Sequence, residues 1–158
     1  NERVYSLLPD VPNNPDFFGD QVIVDGQDNI VRHEERLLLN ALDISLPELL
    51  ELVRLHDGAA IPAHIEAPPF GLLVNLGLVP AELQGAVLEV SCTSQAEQVL
   101  KMYPGLAHYP LISNSDAHFL ADIGRAYTVY ETAGASLAEL MAAARSGSFQ
   151  VLYPGFDG

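Results

Sequence analysis

The sequence predicts an α/β fold built around a largely parallel β-sheet. Between residues 45 and 152, short apolar segments alternate with helical patterns, and 49% of the 158 residues are hydrophobic. Alternation of this kind favours repeated βα units. The number of units fits either an open doubly wound sheet or part of a barrel, and hydrophobic periodicity does not distinguish the two.

One partial domain is expected over residues 1–158, in three successive parts. Residues 1–20 are predicted to be an irregular lead-in, because Pro and Asn crowd residues 9–18. Residues 21–40 are predicted to form a hairpin-like insertion, because an Asp-Gly pair at 25–26 follows a short β-branched run. Residues 45–152 then supply the βα units.

The βα units are predicted from caps and apolar runs. A capping box from Ser45 to Glu48 opens the first helix, and another from Ser136 to Glu139 opens the last, which runs to about residue 145. The remaining predicted elements are strands at 59–65, 86–91, 111–112, 127–131 and 149–152, and helices at 70–76 and 95–102.

Composition excludes several classes of function. The net charge of −14 repels a phosphate backbone, so broad binding of nucleic acid is not expected, whereas a small phosphorylated substrate is compatible with bound metal ions. The lone Cys92 rules out an intrachain disulfide. No apolar run approaches the length of a membrane span, and a cytoplasmic location is expected. The chain begins at Asn1 without Met, which suggests a trimmed product or a piece of a longer protein.

His64, Asp116 and His118 are the candidate metal ligands. His64 ends an apolar strand, and in a parallel sheet the carboxyl ends of strands face the ligand site. Asp116 and His118, two residues apart on extended backbone, point to the same side. Nitrogen and oxygen donors without a thiolate suit Mn, Fe or Zn. A hydrogen-bonded structural role for His64 remains open, and Glu89 faces either solvent or a site.

Two segments carry a resemblance to the PHP (polymerase and histidinol phosphatase) family. Ile61-Pro-Ala-His-Ile65 resembles the family motif in which a strand delivers a metal-binding His. The segment from Ile112 to His118 resembles the final family motif, a Ser-Asp-x-His strand end. Residues 19–25, 35–40 and 121–128 resemble a bacterial branch, so the resemblance covers about residues 13–145.

The resemblance implies a distorted seven-stranded β/α barrel that binds up to three divalent metals and hydrolyses phosphoric esters with metal-activated water. By motif position, Asp116 would ligate the first metal, His64 the second and His118 the third. The substrate would be a small phosphorylated molecule or a nucleotide. The alternative is a non-catalytic PHP-like module for binding or scaffolding.

One departure from the family pattern is large. The opening His-x-His motif of the family occurs nowhere in the 158 residues. We therefore expect the C-terminal half of a PHP barrel, incompletely liganded and inactive alone. Its partner would be the N-terminal half of the domain or a second copy of the chain.

Overall fold

The computed structural model describes residues 2–155 and divides the chain into two compact units, the first ending at Leu49 and the second beginning at Leu50. The first unit contains helices α1 (Glu2–Ser6) and α2 (Pro15–Phe18), strands β1 (Val22–Val24) and β2 (Ile30–His33), and the start of α3 (Leu46–Leu55).

The second unit follows α3 with short helices and strands. They are α4 (Leu72–Leu76), β3 (Leu88–Glu89), α5 (Ala96–Met102), β4 (Leu111–Ile112), β5 (Tyr127–Tyr130), α6 (Leu137–Ser146) and β6 (Phe149–Leu152). Short 3-10 turns lie at Ala81–Leu83, Pro104–Leu106 and Leu120–Asp122. The architecture is therefore mixed α/β, as the sequence predicts.

The hairpin of the first unit is confirmed. Strands β1 and β2 pair antiparallel with an irregularity between Ile23 and Val24. The Asp25 carboxylate closes the turn by accepting the backbone N–H groups of Gln27 and Asn29 at 2.9 and 3.0 Å. The predicted irregular lead-in is partly wrong, because α2 lies inside it. This helix starts at a proline, and the side chain of Asn14 caps it.

Strands β3 and β4 form the parallel pair at the centre of the second unit, with Leu88 opposite Leu111 and Glu89 opposite Ile112. The predicted strand at 59–65 is absent as a regular element. Pro62 lacks an N–H, and His64 has a φ of 30° that no strand accommodates. The segment still bonds to β3, since Pro62 O accepts from Glu89 N at 3.0 Å and Ile65 N donates to Glu89 O at 2.9 Å.

The main core of the second unit lies around this pair. Its buried members are apolar and come from β3 and the residue after it, β4, α4, α5, the 3-10 turn at Pro104–Leu106 and the segment before α4: Ile65, Leu73, Leu88, Val90, Val99, Leu106 and Leu111. A second cluster joins Val87 and Ile112 to Met141 and Ala144 of α6. The two faces of β3–β4 are thereby covered by different helices, as expected for strands buried on both sides.

The expectation of a largely parallel sheet is wrong. Within residues 2–155 the named strands form three two-stranded sheets and no closed barrel, and two of the three sheets are antiparallel. Strand β6 runs antiparallel to β5 because α6 returns the chain to the end of β5 that it left. Glu131 N donates to Ser148 O at 2.9 Å at that point.

The capping box at the start of α6 is confirmed, because Ser136 and Glu139 bond reciprocally. At the start of α3 only half of the predicted box forms: Ser45 donates its N–H and hydroxyl to Glu48. Gly147, in the left-handed conformation, ends α6. None of the helices between residues 2 and 155 combines the length and the apolar character that a membrane span requires.

Candidate metal centre

Three chain segments of the second unit meet at one edge of the parallel pair. Residues 62–65 bond to β3, and β3 bonds to β4. Val90 N donates to Ile112 O at 2.8 Å, which extends the pairing to the carboxyl ends of both strands. Ser113 follows the end of β4, and His64 lies in the segment that pairs with Glu89 at the end of β3, so both residues lie near the carboxyl end of the parallel pair.

His64 occupies a tight turn at this edge. Its φ of 30° is left-handed, its carbonyl accepts from Ala67 N at 2.9 Å, and the residue is half-buried. The Nδ1 atom of its ring is buried and has no hydrogen-bond partner within residues 2–155. A buried imidazole nitrogen without a donor is available to a ligand, so the structural role left open for His64 lacks the expected hydrogen bond at this atom.

Asp116 and His118 lie side by side in the loop after β4. The Asp116 Oδ1 and His118 Nε2 atoms are 3.6 Å apart, and the side chains are 45% and 76% exposed. Asp116 also has a left-handed backbone, with a φ of 45°. One carboxylate oxygen and one imidazole nitrogen at this separation fit a single divalent cation of the Mn, Fe or Zn type.

A complete ligand set is not formed by the described part of the chain. Within residues 2–155, no group of three or more His, Cys, Asp or Glu side chains is arranged to hold a metal ion. Asp116 and His118 are brought together, and His64 is not joined to them in such a group. The assignment of all three residues as metal ligands stays a prediction.

Two further carboxylates lie at the same edge. Glu89 is half-buried and accepts from the amide of Asn114 at 2.9 Å, which links the end of β3 to the loop after β4. The nearby Tyr130 has its pKa raised by burial and then by the Glu89 charge. Glu66 accepts from Ser91 N at 3.0 Å, and its other oxygen is buried without a partner within residues 2–155.

Sequence reasoning missed the residues that hold the loop after β4. Hydrogen bonds from the backbone N–H groups of Phe119 and His118 lower the pKa of the Asp122 carboxyl, and Arg125 pairs with that carboxylate. Arg125 is one of only seven basic residues in a chain of net charge −14, which is the feature that could have drawn attention to it. Its role depends on contacts with backbone carbonyls, which no residue pattern displays.

A comparison with known families agrees with the resemblance noted in the sequence. A family model described as PHP-associated matches residues 107–149, a stretch that contains Asp116 and His118 and excludes His64. No curated protein and no solved structure matches the chain. Residues 107–149 are thus similar to a PHP-associated region, in agreement with the resemblance of residues 112–118 to the final PHP motif.

Proposed function

We propose that this chain is the C-terminal part of a metal-dependent phosphoesterase, with His64, Asp116 and His118 as protein ligands of divalent Mn, Fe or Zn. The observation that supports the proposal best is the backbone of two of these residues. His64 comes from the segment bonded to one side of β3, Asp116 follows β4 on the other side, and both residues have left-handed φ angles.

Left-handed backbone is unfavourable for most residues other than glycine, and Asn, Asp and His adopt it more readily than the others. Such strain costs on the order of 1–3 kcal/mol and clusters at functional sites. Two other described non-glycine residues share it, and both have local explanations. Asp28 lies in the hairpin turn, and Asp57 follows the end of α3. His64 and Asp116 occupy no hairpin turn or helix end, which favours a role that requires their orientation.

The chemistry available at this edge suits hydrolysis of a phosphoric ester. A divalent cation supplies Lewis acidity and makes water a nucleophile at neutral pH. The chain itself contributes the His64 Nδ1 atom, which has no hydrogen-bond partner among residues 2–155, the Asp116–His118 pair, and the hydrogen bond from Asn114 to Glu89. The net charge of −14 favours a small phosphorylated substrate or nucleotide over a long polyanion.

In this proposal the chain forms half of a PHP barrel and is not sufficient for catalysis. With no His-x-His in the sequence, each metal keeps too few protein ligands. The N-terminal half of a PHP domain, or a second copy of the chain, would supply the remainder. We expect the 158-residue chain alone to bind metal weakly and to show no useful turnover of a phosphomonoester with added Mn²⁺.

Asp116→Asn tests the ligand assignment. Asparagine tolerates left-handed backbone, so the variant removes the charge and preserves the turn. We expect its Mn²⁺ affinity, measured by calorimetry, to fall at least about tenfold, because replacing even a group that orients a metal ligand typically costs about 10- to 100-fold. Asp28→Asn is the matched control, because Asp28 also has a left-handed φ, of 64°, and lies in the hairpin of the first unit.

Two results would contradict the proposal. Equal Mn²⁺ affinities for wild type and Asp116→Asn would remove Asp116 from the ligand set and favour the non-catalytic module. Appreciable hydrolysis of a phosphomonoester by the purified 158-residue chain would show that no further ligands are needed.

A further inference from the structure

The backbone around Asp116 and His118 is tied to a single arginine. Arg125 Nε donates to Ser115 O at 2.7 Å, and one of its terminal nitrogens donates to Asp116 O at 3.2 Å. The other terminal nitrogen lies 3.4 Å from Asp122 Oδ1. The planar guanidinium thus holds two successive carbonyls and one carboxylate, which a lysine ammonium cannot reproduce in the same geometry.

The Asp122 carboxylate holds the backbone on the C-terminal side of Ala117. Its Oδ2 atom accepts the backbone N–H groups of His118 and Phe119 at 3.2 and 3.0 Å. The ion pair between Arg125 and Asp122 therefore joins the carbonyls before Ala117 to the amides after it. The backbone on both sides of the two candidate ligands is fixed by one pair of side chains.

Ser115 adds a third tie to the same loop. Its hydroxyl donates to Ala126 O at 2.9 Å and accepts from Gly124 N at 2.8 Å. The side chains of Asp116 and His118 are 45% and 76% exposed, so packing holds His118 in particular only weakly. Their direction is set by the backbone that these hydrogen bonds hold.

We propose that Arg125 and Asp122 are positioning residues, which hold the left-handed turn at Asp116 so that the Asp116 carboxylate and the His118 imidazole face one metal site. This inference rests on the proposed function, because Arg125 and Asp122 have a positioning role only if Asp116 and His118 bind metal. Groups that orient ligands from behind typically change metal affinity by about 10- to 100-fold when they are replaced.

The experiment uses Co²⁺ as the probe with the 158-residue chain. Arg125→Lys keeps the positive charge and removes the planar guanidinium that bonds two carbonyls and a carboxylate. We therefore expect the Co²⁺ affinity to fall about tenfold and the visible absorption of bound Co²⁺ to change in position and intensity. The matched control is Arg54→Lys, since Arg54 also uses Nε and a terminal nitrogen, on Glu51, at 2.8 and 2.7 Å. This control should leave both Co²⁺ readouts unchanged.

The variants Asp116→Asn and His118→Ala distinguish a failure of the proposed metal site from a failure of the positioning role of Arg125 and Asp122. If these variants bind Co²⁺ as wild type does, the proposed metal site fails. If they lose binding while Arg125→Lys and Asp122→Asn bind Co²⁺ with the wild-type affinity and spectrum, the metal site stands and the positioning role is overturned.

Hydrogen exchange keeps the inference testable should the variants fail to fold. In the metal-free wild-type chain, the amides of His118, Phe119 and Gly124 donate to Asp122 and Ser115 and should exchange slowly. Exchange of these three amides at the rate of unprotected peptide would overturn the proposed role without any substitution.

Discussion

Glu34 is a buried carboxylate of the first unit, held by three donors. It accepts from the Tyr5 hydroxyl at 2.7 Å, from Arg32 at 2.8 Å and from the backbone N–H of Arg36 at 3.2 Å. The hydrogen bond from Tyr5, then that from Arg32, lowers the pKa of Glu34 from 4.5 to about 2. Because the charged form is the stabilised form, Glu34 contributes stability that is present above pH 4.5 and is lost as pH falls towards 2.

Glu34→Gln should therefore destabilise the first unit at pH 7, and the difference from wild type should shrink on acidification from about pH 5 to pH 3. Urea midpoints of both proteins across this range measure the effect. Glu35→Gln, at the exposed neighbouring position, is the control and should show no such trend. A difference in urea midpoint between wild type and Glu34→Gln that stays constant down to pH 3 would contradict the stabilising role of the Glu34 charge.

At the scale of elements, the turn between residue 65 and α4 is built around Gly71. A Cβ on Gly71 would lie 2.6 Å from Ala67 O, 2.7 Å from Ala67 N and 2.7 Å from Ile65 O. All three are backbone atoms, so the added carbon cannot be accommodated by a side-chain rotation. This close approach also carries the hydrogen bond from Gly71 N to Ala67 O, at 2.7 Å, next to the turn of His64.

Gly71→Ala should destabilise the second unit by about 1–3 kcal/mol, the usual cost of forcing extra volume into a packed site. Urea denaturation measures this cost. Gly105→Ala is the control, because nothing lies within 4 Å of its Cβ position and it has no positive φ. Equal stabilities for the two variants would show that the turn relaxes freely.

At the scale of the whole molecule, strands with open edges carry exposed apolar side chains. Ile30 and Val31 of β2 are 61% and 63% exposed, and Val129 of β5 is 45% exposed. Each sheet has only two strands, so each strand presents an unpaired edge to its surroundings unless another segment covers it. Two-stranded sheets are marginal by themselves in water.

We therefore expect the 158-residue chain to self-associate or to bind a completing partner. Light scattering after size exclusion, at rising protein concentration, should give a mass above 17.1 kDa. Lysine substitutions at Ile30 and Val129 should lower the mass at a given concentration, since charge on an edge opposes strand pairing. A monomer of constant mass at the highest concentration would contradict the expectation.

Prediction from sequence succeeded where short-range chemistry decides the structure. The hydrogen bonds from Ser45 to Glu48, the capping box at Ser136 and the hairpin turn at Asp25 each depend on residues within four positions of one another. The convergence of His64, Asp116 and His118 on one metal site stays a prediction. The prediction of a strand at 59–65 was wrong because it gave more weight to the apolar run than to Pro62, which cannot donate a backbone hydrogen bond.

The sequence by itself determined the mixed α/β character, the helix starts and the candidate donors, since caps, turns and apolar periodicity act between near neighbours. Tertiary structure alone decided the antiparallel return of β6, the left-handed turns of His64 and Asp116, and the hold of Arg125 on the carbonyls of Ser115 and Asp116. These features depend on backbone groups and on residues distant along the chain. Their interaction energy appears only when folding brings them into contact.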